Sequence, residues 1–221
     1  MARRTRNSKL KQREEPDKLA ALNESQGYLL SAIEDDIVIF AKGPAGTGKT
    51  YLSVIRACEM LYEGSIERVV LTRPNIETAK CLGALPGTLE EKLDPYFKTM
   101  TFIIQQRFSK GWLDSQLNNN NIELAALGFV QGATYDNTIV IVDEAEHLDV
   151  KEMYIILTRI GVNSKMILCG DNFQKFTKGV NGFDDASRRL AHIDKVRVCD
   201  FTSDDIVRSG IVKEIVKAYE D

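Results

Sequence analysis

The 221-residue sequence has no long hydrophobic run. Its longest apolar segments, such as Ile37 to Ala41 and Thr138 to Val142, have the length of a β-strand. They fall far short of the ~20 residues that cross a membrane. The charged N-terminal stretch has no apolar segment behind it, which argues against a secretory signal. We therefore expect a protein with no membrane segment that works in the cytoplasm.

Cysteine and histidine are also scarce. The four cysteines are scattered, and no two of them form a Cys-x-x-Cys motif. The two histidines do not lie near a pair of cysteines either. This spacing argues against a disulfide scaffold and against a zinc site. The pattern instead favours reduced thiols in or near a core.

Basic charge is concentrated at the N-terminus. Residues 1–18 hold seven Lys or Arg and three acidic residues, which leaves 22 basic and 29 acidic residues in the remainder. The body is therefore not a generally basic nucleic-acid binder. Residues 1–19 lack apolar periodicity and are typical of a disordered tail. Such a tail either binds a phosphate backbone electrostatically or only adds solubility.

Apolar strand-like runs alternate with helical patterns from residue 20 to residue 221, which we interpret as a single domain. The strand candidates are Ile37–Ala41, Arg68–Thr72, Ile122–Leu127, Thr138–Val142, Lys165–Cys169 and Val196–Phe201. The helix candidates are residues 50–62, 150–160 and 211–219, a start near Gly27, a capping box at 88–91 and a helical insertion over about 88–121. Val- and Ile-rich strands without polar alternation favour a parallel sheet. The alternation predicts an α/β doubly wound fold, in which ligands bind at the carboxyl ends of the strands.

The segment GPAGTGKTY lies between a strand candidate and a helix candidate, which is the context of a phosphate-binding loop. Glycines let the backbone approach phosphates, and the helix N-terminus adds positive potential. We expect Lys49 to reach the β- and γ-phosphates and Thr50 to bind Mg²⁺. The predicted nucleotide contacts are Gly43, Pro44, Ala45, Gly46, Thr47, Gly48, Lys49, Thr50 and Tyr51.

Two carboxylates, Asp143 and Glu144, follow the strand candidate Thr138–Val142. Asp143 is positioned to hold Mg²⁺, directly or through water. Glu144 is positioned to deprotonate an attacking water, a group that a hydrolase needs and a small-molecule kinase does not. A solvated acidic cluster is the alternative interpretation.

Two glutamines complete the candidate site. Gln174 follows Gly170-Asp171 after the next strand candidate, where it can sense the γ-phosphate or position water. Gln26 precedes the first strand candidate, and its amide offers the donor and acceptor that adenine requires. Either residue alone is also compatible with a surface turn or a helix cap.

Taken in order, these elements resemble the PhoH family of ATPases, in particular the short stand-alone members found in bacteriophages. The resemblance covers about residues 20–221, and its most specific part is the leucine–proline–glycine segment. The matching segments are Gly43–Leu52, Val70–Pro74, Leu82–Tyr96, Val142–Ala145, Leu157–Gly161, Gly170–Gln174, Asp205–Arg208 and Ala218–Glu220. The resemblance implies a RecA-like P-loop NTPase fold similar to the first motor domain of superfamily-one helicases. It also implies ATP hydrolysis with Mg²⁺, action on RNA or single-stranded nucleic acid, and a phage origin.

The resemblance also assigns roles and exposes departures. Gln26 corresponds to the adenine reader, and Arg73 and Arg208 to functional arginines, with Arg159 as a further candidate. Arg208 would neutralise phosphoryl charge in cis or across a subunit interface. The sequence departs from the family pattern in three places. They are Glu146 in place of glutamine, Gln131 and Ala133 in place of two arginines, and Lys175–Lys178 in place of an aspartate-led segment.

These observations leave two functions open. The first is a Mg²⁺-dependent, helicase-like ATPase in which Lys49, Glu144, Gln174 and Arg208 are catalytic. The second is an ATP-dependent assembly switch with little turnover, which the missing arginines favour. One motor domain supplies only one wall of a helicase ATP site. We therefore expect a homo-oligomer, and the resemblance suggests a hexamer.

Overall fold

Six parallel strands form one sheet in the computed structural model, which describes residues 19–74, 89–171, 181–208 and 210–220. The strands are β1 Val38–Lys42, β2 Arg68–Arg73, β3 Ile122–Ala126, β4 Thr138–Val142, β5 Lys165–Gly170 and β6 Val196–Asp200. Their spatial order is β3-β2-β4-β5-β1-β6, and every pair of neighbours is parallel. The predicted α/β, doubly wound fold with a parallel sheet is confirmed, and each strand lies within one residue of its predicted bounds.

Helices cover both faces of the sheet. The described helices are α1 Glu24–Asp35, α2 Lys49–Glu63, α3 Leu89–Phe108, α4 Lys110–Asn118, α5 Leu127–Val130, α6 Val150–Leu157, α7 Gly182–Leu190 and α8 Gly210–Glu220. Helices α1 to α4 pack on one face in a cluster that includes Leu29, Leu52 and Phe97. Helices α5 to α7 pack on the other face, with Met153 and Phe183. Neighbouring strand residues point to opposite faces, so each central strand contributes to both clusters.

Local signals explain where the structure differs from the predicted helices. Helix α1 begins at Glu24 rather than near Gly27, because the Asn23 side chain caps it by accepting from Gln26 N at 2.8 Å. Gln26 therefore lies inside the first turn. Helix α6 ends at Leu157 rather than Ile160, because Ile160 pairs with Tyr135 in an isolated bridge. Leu127, predicted as strand, opens the short helix α5.

Several predicted features lie outside the described residues. They are the basic tail over residues 1–18, the leucine–proline–glycine stretch over 82–88 with Thr88 of the capping box, and Gln174 with the following Lys175–Lys178. Among the described residues, no helix is both long and apolar enough to cross a membrane. The three cysteines within the described ranges, Cys58, Cys169 and Cys199, are buried and free.

Candidate nucleotide site

The glycine-rich loop connects β1 to α2 and has the backbone geometry of a phosphate cradle. Gly43 has φ 144°, and a Cβ there would lie 2.3 Å from the Phe201 carbonyl oxygen. Gly46 has φ 88°, and a Cβ there would lie 2.9 Å from Arg208 Cδ. The positive φ therefore disfavours a larger residue at both positions, and at Gly43 the Phe201 backbone also leaves no space for one. The loop ends at Gly48, which immediately precedes helix α2, so the helix N-terminus faces the cradle.

The Lys49 ammonium is folded back onto its own loop. Its Nζ donates to the carbonyl oxygens of Gly43 and Pro44, each at 2.8 Å, and lies 3.3 Å from Thr47 Oγ1. Burial lowers the pKa of Lys49, although nearby acidic groups oppose the shift. The charge is thus held at the loop by carbonyl dipoles that a phosphate oxygen can replace.

Three distant parts of the chain fix the loop in place. From α1, the amide nitrogen of buried Gln26 donates to Thr47 O at 2.9 Å. From the end of β5, Asp171 Oδ2 accepts from Ala45 N at 3.0 Å. From the segment before α8, Val207 N donates to Gly46 O at 3.1 Å. The cradle is therefore shaped by contacts from outside the loop as well as by its glycines.

A hydroxyl and a carboxylate meet beside the loop. Thr50, in the first turn of α2, donates its hydroxyl hydrogen to Asp143 Oδ1 at 2.7 Å. Asp143 directly follows β4 and is only 6% exposed. The sheet order explains the meeting, because only β5 separates β4 from β1 and all three strands end at the same edge.

Glu144 turns out of the strand in a left-handed conformation, with φ 57° and ψ 37°. A non-glycine residue there costs of order 1 kcal/mol, and such residues cluster at functional sites. The turn leaves the Glu144 side chain 42% exposed on the wall of the cleft. A carboxylate so placed is accessible to a water molecule.

Arg73, at the end of β2, holds the carboxylate pair. Its Nη2 and Nε lie 2.6 and 3.0 Å from Asp143 Oδ2, and its Nη1 lies 3.5 Å from Glu144 Oε1. The same Nη1 donates to Tyr96 O in α3 at 3.0 Å. The functional arginine suggested by the resemblance thus binds the predicted metal ligand directly.

Glu146, the position that departs from the family, is almost fully buried in the wall of the cleft. The nearby backbone N–H groups of Glu146 and Asp171 favour the charged form of its carboxyl group. Within the described residues, its Oε2 has no hydrogen-bond partner. Burial raises its pKa to about 7, and the charges of Asp171 and Glu144 act in the same direction.

These groups line one cleft of about 660 Å³, together with other predicted residues. Tyr51 lies on its wall and is 43% exposed. Arg208 lies over Gly46 of its own chain, so it reaches the loop in cis. Gln26 also lines the cleft, but its amide is engaged at both ends, since its Oε1 accepts from Leu22 N at 2.8 Å.

One candidate residue lies outside the cleft, and one wall of the cleft was not predicted. Arg159 lies away from the lining and bonds within its own turn, to Ile155 O and Thr158 Oγ1. One wall was missed by sequence reasoning: Thr99, Ile103 and Arg107 of α3. Their spacing of four residues places them on one face of a helix, but it matches no nucleotide motif.

The oxygen donors at this site suit magnesium. In the described ranges, no cluster of three or more His, Cys, Asp or Glu side chains is arranged as a protein cage for a metal. Mg²⁺ at nucleotide sites needs few protein ligands, because water and phosphate oxygens supply the rest. The Thr50 hydroxyl and the Asp143 carboxylate, 2.7 Å apart, fit that requirement.

Comparison with known proteins shows similarity to one protein family over most of the chain. The family described as PhoH-like protein matches residues 18–220. A PhoH-like protein of Bacillus subtilis is 37% identical over 197 residues, covering 88% of this chain and 62% of the relative. Protein PhoH of Escherichia coli K12 is 35% identical over 205 residues, covering 91% and 58%. The chain therefore spans about three fifths of the length of these relatives.

A solved structure supports the fold alone. The large terminase from a thermophilic bacteriophage matches 90% of this chain and 50% of its own, with a TM-score of 0.51 at 10% identity. At that identity, shared architecture is the extent of the likeness.

Proposed function

Because the chain belongs to the PhoH-like protein family, we propose that it binds ATP with Mg²⁺ and hydrolyses it while acting on RNA or single-stranded nucleic acid. One observation carries the proposal. The Thr50 hydroxyl donates to Asp143 at 2.7 Å in the same cleft that holds Lys49 and Glu144. One sheet edge thus carries the glycine-rich loop, the two groups proposed as metal ligands and an accessible second carboxylate, and this arrangement supports the proposal.

The roles follow from the contacts. Lys49 would exchange the carbonyl oxygens of Gly43 and Pro44 for phosphate oxygens. Thr50 and Asp143 would hold Mg²⁺, which neutralises phosphate charge when bound. Glu144 would accept a proton from the water that attacks the γ-phosphorus, and the bond from that phosphorus to the bridging oxygen breaks to release ADP.

Arg208 is the candidate for stabilising the charge that develops on the transferred group. Its side chain lies over Gly46 of the same chain, which supports an action in cis. Gln26 and Tyr51 line the cleft on the side of α1 and α2, and we propose them as contacts to the base. Gln174 keeps its proposed role in positioning water on the sequence argument alone.

The test is ATP turnover with and without single-stranded RNA, for native protein and Glu144→Gln. We expect Glu144→Gln to lower turnover by roughly 10²- to 10⁴-fold, because a positioned base contributes about that much. Nucleotide affinity should change little. Glu67→Gln changes an exposed glutamate just before β2 and serves as the matched control. Absence of turnover in the native protein would reject the enzymatic proposal.

An assembly switch is the second candidate, favoured by Gln131 and Ala133 in place of the family's two arginines. Nucleotide binding with turnover indifferent to RNA would support it.

We further propose a homo-oligomer, a hexamer as the family resemblance suggests, in the cytoplasm of a bacterial cell. Sedimentation with and without ATP tests the assembly. A monomer that hydrolyses ATP at full rate would contradict it.

A further inference from the structure

Arg73 is the one described residue whose side chain contacts Asp143, Glu144 and helix α3 together. Two of its nitrogens bind Asp143 Oδ2, a third donates to Tyr96 O at 3.0 Å, and the same third nitrogen lies 3.5 Å from Glu144. The Arg73 side chain is only 18% exposed, so water screens these contacts poorly. The two ends of this bridge belong to different parts of the fold, the catalytic edge of the sheet and a helix packed on its face.

A metal ion held by Asp143 would compete with this bridge for the same carboxylate. Asp143 Oδ1 accepts from Thr50, and Oδ2 accepts two bonds from Arg73. A divalent cation at this carboxylate meets a guanidinium already paired with it, and two cations on one carboxylate repel each other. Occupancy of the metal site therefore weakens the hold of Arg73 on Asp143.

The other end of the bridge lies at a weak point of α3. Tyr96 follows Pro95, which lies inside the helix and has no backbone N–H to donate to the preceding turn. Beyond this point, α3 is anchored by the fully buried side chains of Phe97 and Met100. A change in the pull on the Tyr96 carbonyl therefore acts one residue after the position at which the helix lacks a backbone donor.

The far end of α3 carries an intrinsic reporter. Phe108, its last residue, stacks on Trp112 of α4 with ring centroids 4.4 Å apart. Trp112 is the single tryptophan of the sequence and is 7% exposed. A shift of α3 relative to α4 changes the surroundings of that indole.

We propose that Arg73 is a positioning residue that competes with the metal ion for Asp143 and relays the occupancy of the nucleotide site to helix α3 through the Tyr96 carbonyl. The relay rests on the proposed function, because it needs a metal–nucleotide complex at Asp143. Through the contacts of Arg73 with Asp143 and Tyr96, bound nucleotide would shift the position of α3, a helix outside the phosphate loop.

The experiment titrates the full chain with Mg²⁺ and ADP and follows two signals, heat of binding by calorimetry and Trp112 emission. In the native protein we expect binding accompanied by a saturable change in emission, and no such change for ADP with a chelator. Arg73→Gln removes the bridge. Arg73→Lys keeps a positive charge near Asp143 but cannot hold Asp143 and Tyr96 together. Both variants should lose most of the emission change.

The metal dependence separates a relay from simple support. If Arg73 competes with Mg²⁺, Arg73→Gln should lower the Mg²⁺ concentration for half-saturation, by roughly tenfold for the loss of one charge-assisted pair. If Arg73 only holds Asp143 in place, that concentration should rise, which would overturn the relay. An undiminished emission change in both variants would overturn it equally.

Arg68→Gln is the matched control, since Arg68 begins the same strand and pairs with Glu123 away from the cleft. It should behave as the native protein in both signals. Native protein that shows no heat of binding would overturn the proposed function and the relay with it. Binding without any emission change would overturn the relay alone.

Discussion

The two walls of the nucleotide cleft are built on different principles. The phosphate loop is held by Gln26, Asp171 and Val207, which come from three separate parts of the fold. The carboxylates of Asp143 and Glu144 share one organiser, Arg73. The loop is thus supported redundantly, whereas the carboxylate wall depends on a single charged side chain.

The difference corresponds to the work expected of each wall. A phosphate cradle must be preformed, because its N–H groups act only if they already point at the ligand. A carboxylate wall that takes part in a reaction must exchange partners, so one replaceable ion pair suits it. Redundant support from separate elements therefore marks the half expected to be rigid, and reliance on one charged side chain marks the half expected to exchange partners.

The largest effect should come from breaking the rigid half at its tightest point. In Gly43→Ala the new Cβ would lie 2.3 Å from Phe201 O, at a φ of 144°. We expect the free energy of unfolding to fall by about 4 kcal/mol or more, because backbone must move to accept the methyl group. Nucleotide binding should be lost with it. Urea unfolding and calorimetry measure the two quantities.

Gly64→Ala provides the comparison at the other end of α2. Gly64 also has a positive φ, 76°, but a Cβ there would meet no heavy atom within 4 Å. Its cost should be only the left-handed backbone term of ~1 to 2 kcal/mol. Similar losses in the two variants would show that the packing around the loop is not what holds it.

A smaller effect is expected from Glu146, on the carboxylate side. Its pKa of about 7 in the folded protein lies above the ordinary 4.5, so the folded state binds more protons between those values. Stability must therefore fall as pH rises through this window. The contribution amounts to about 2 to 3 kcal/mol between pH 5 and pH 8, at roughly 1.4 kcal/mol per pH unit.

Glu146→Gln should remove this contribution. The variant should gain stability over the native protein at pH 8 by about that amount, with a much smaller difference at pH 5. Unfolding free energies at the two pH values provide the measurement, with Glu123→Gln as a half-exposed control at the other edge of the sheet. Parallel pH profiles for native protein and Glu146→Gln would contradict the assignment.

Sequence reasoning reached the rigid half of the site more completely than the other half. The loop, its flanking strand and helix, and Asp143 depend on local patterns, so their positions could be predicted. Arg73 was assigned only a general function, because its partner Tyr96 O is a backbone atom with no sequence signal. The predicted start of α1 near Gly27 is three residues too late, because the Asn23 side chain caps a helix that begins at Glu24.

Burial was the other property that sequence could not supply. Glu146 was recognised as a departure from the family, but its near-complete burial depends on the turn after β4 and on Asp171, 25 positions later in the sequence. The α3 wall of Thr99, Ile103 and Arg107 was likewise invisible, because it depends on how that helix packs against α2. Both are tertiary properties that no local pattern encodes.

A smaller effect than those at Gly43 and Glu146 tests the redundancy itself. Gln26→Ala removes the bonds to Thr47 O and Leu22 N, and buried partners left unpaired should lower the unfolding free energy by about 2 kcal/mol. The loop should still bind nucleotide, because Asp171 and Val207 continue to hold it. Complete loss of binding would show that the supports are not redundant.

Measuring the affinities for ATP and GTP in parallel also separates two roles of Gln26. If Gln26 recognises adenine, the variant should lose its preference for ATP over GTP. If Gln26 only supports the loop, the affinities for both nucleotides should fall by the same factor.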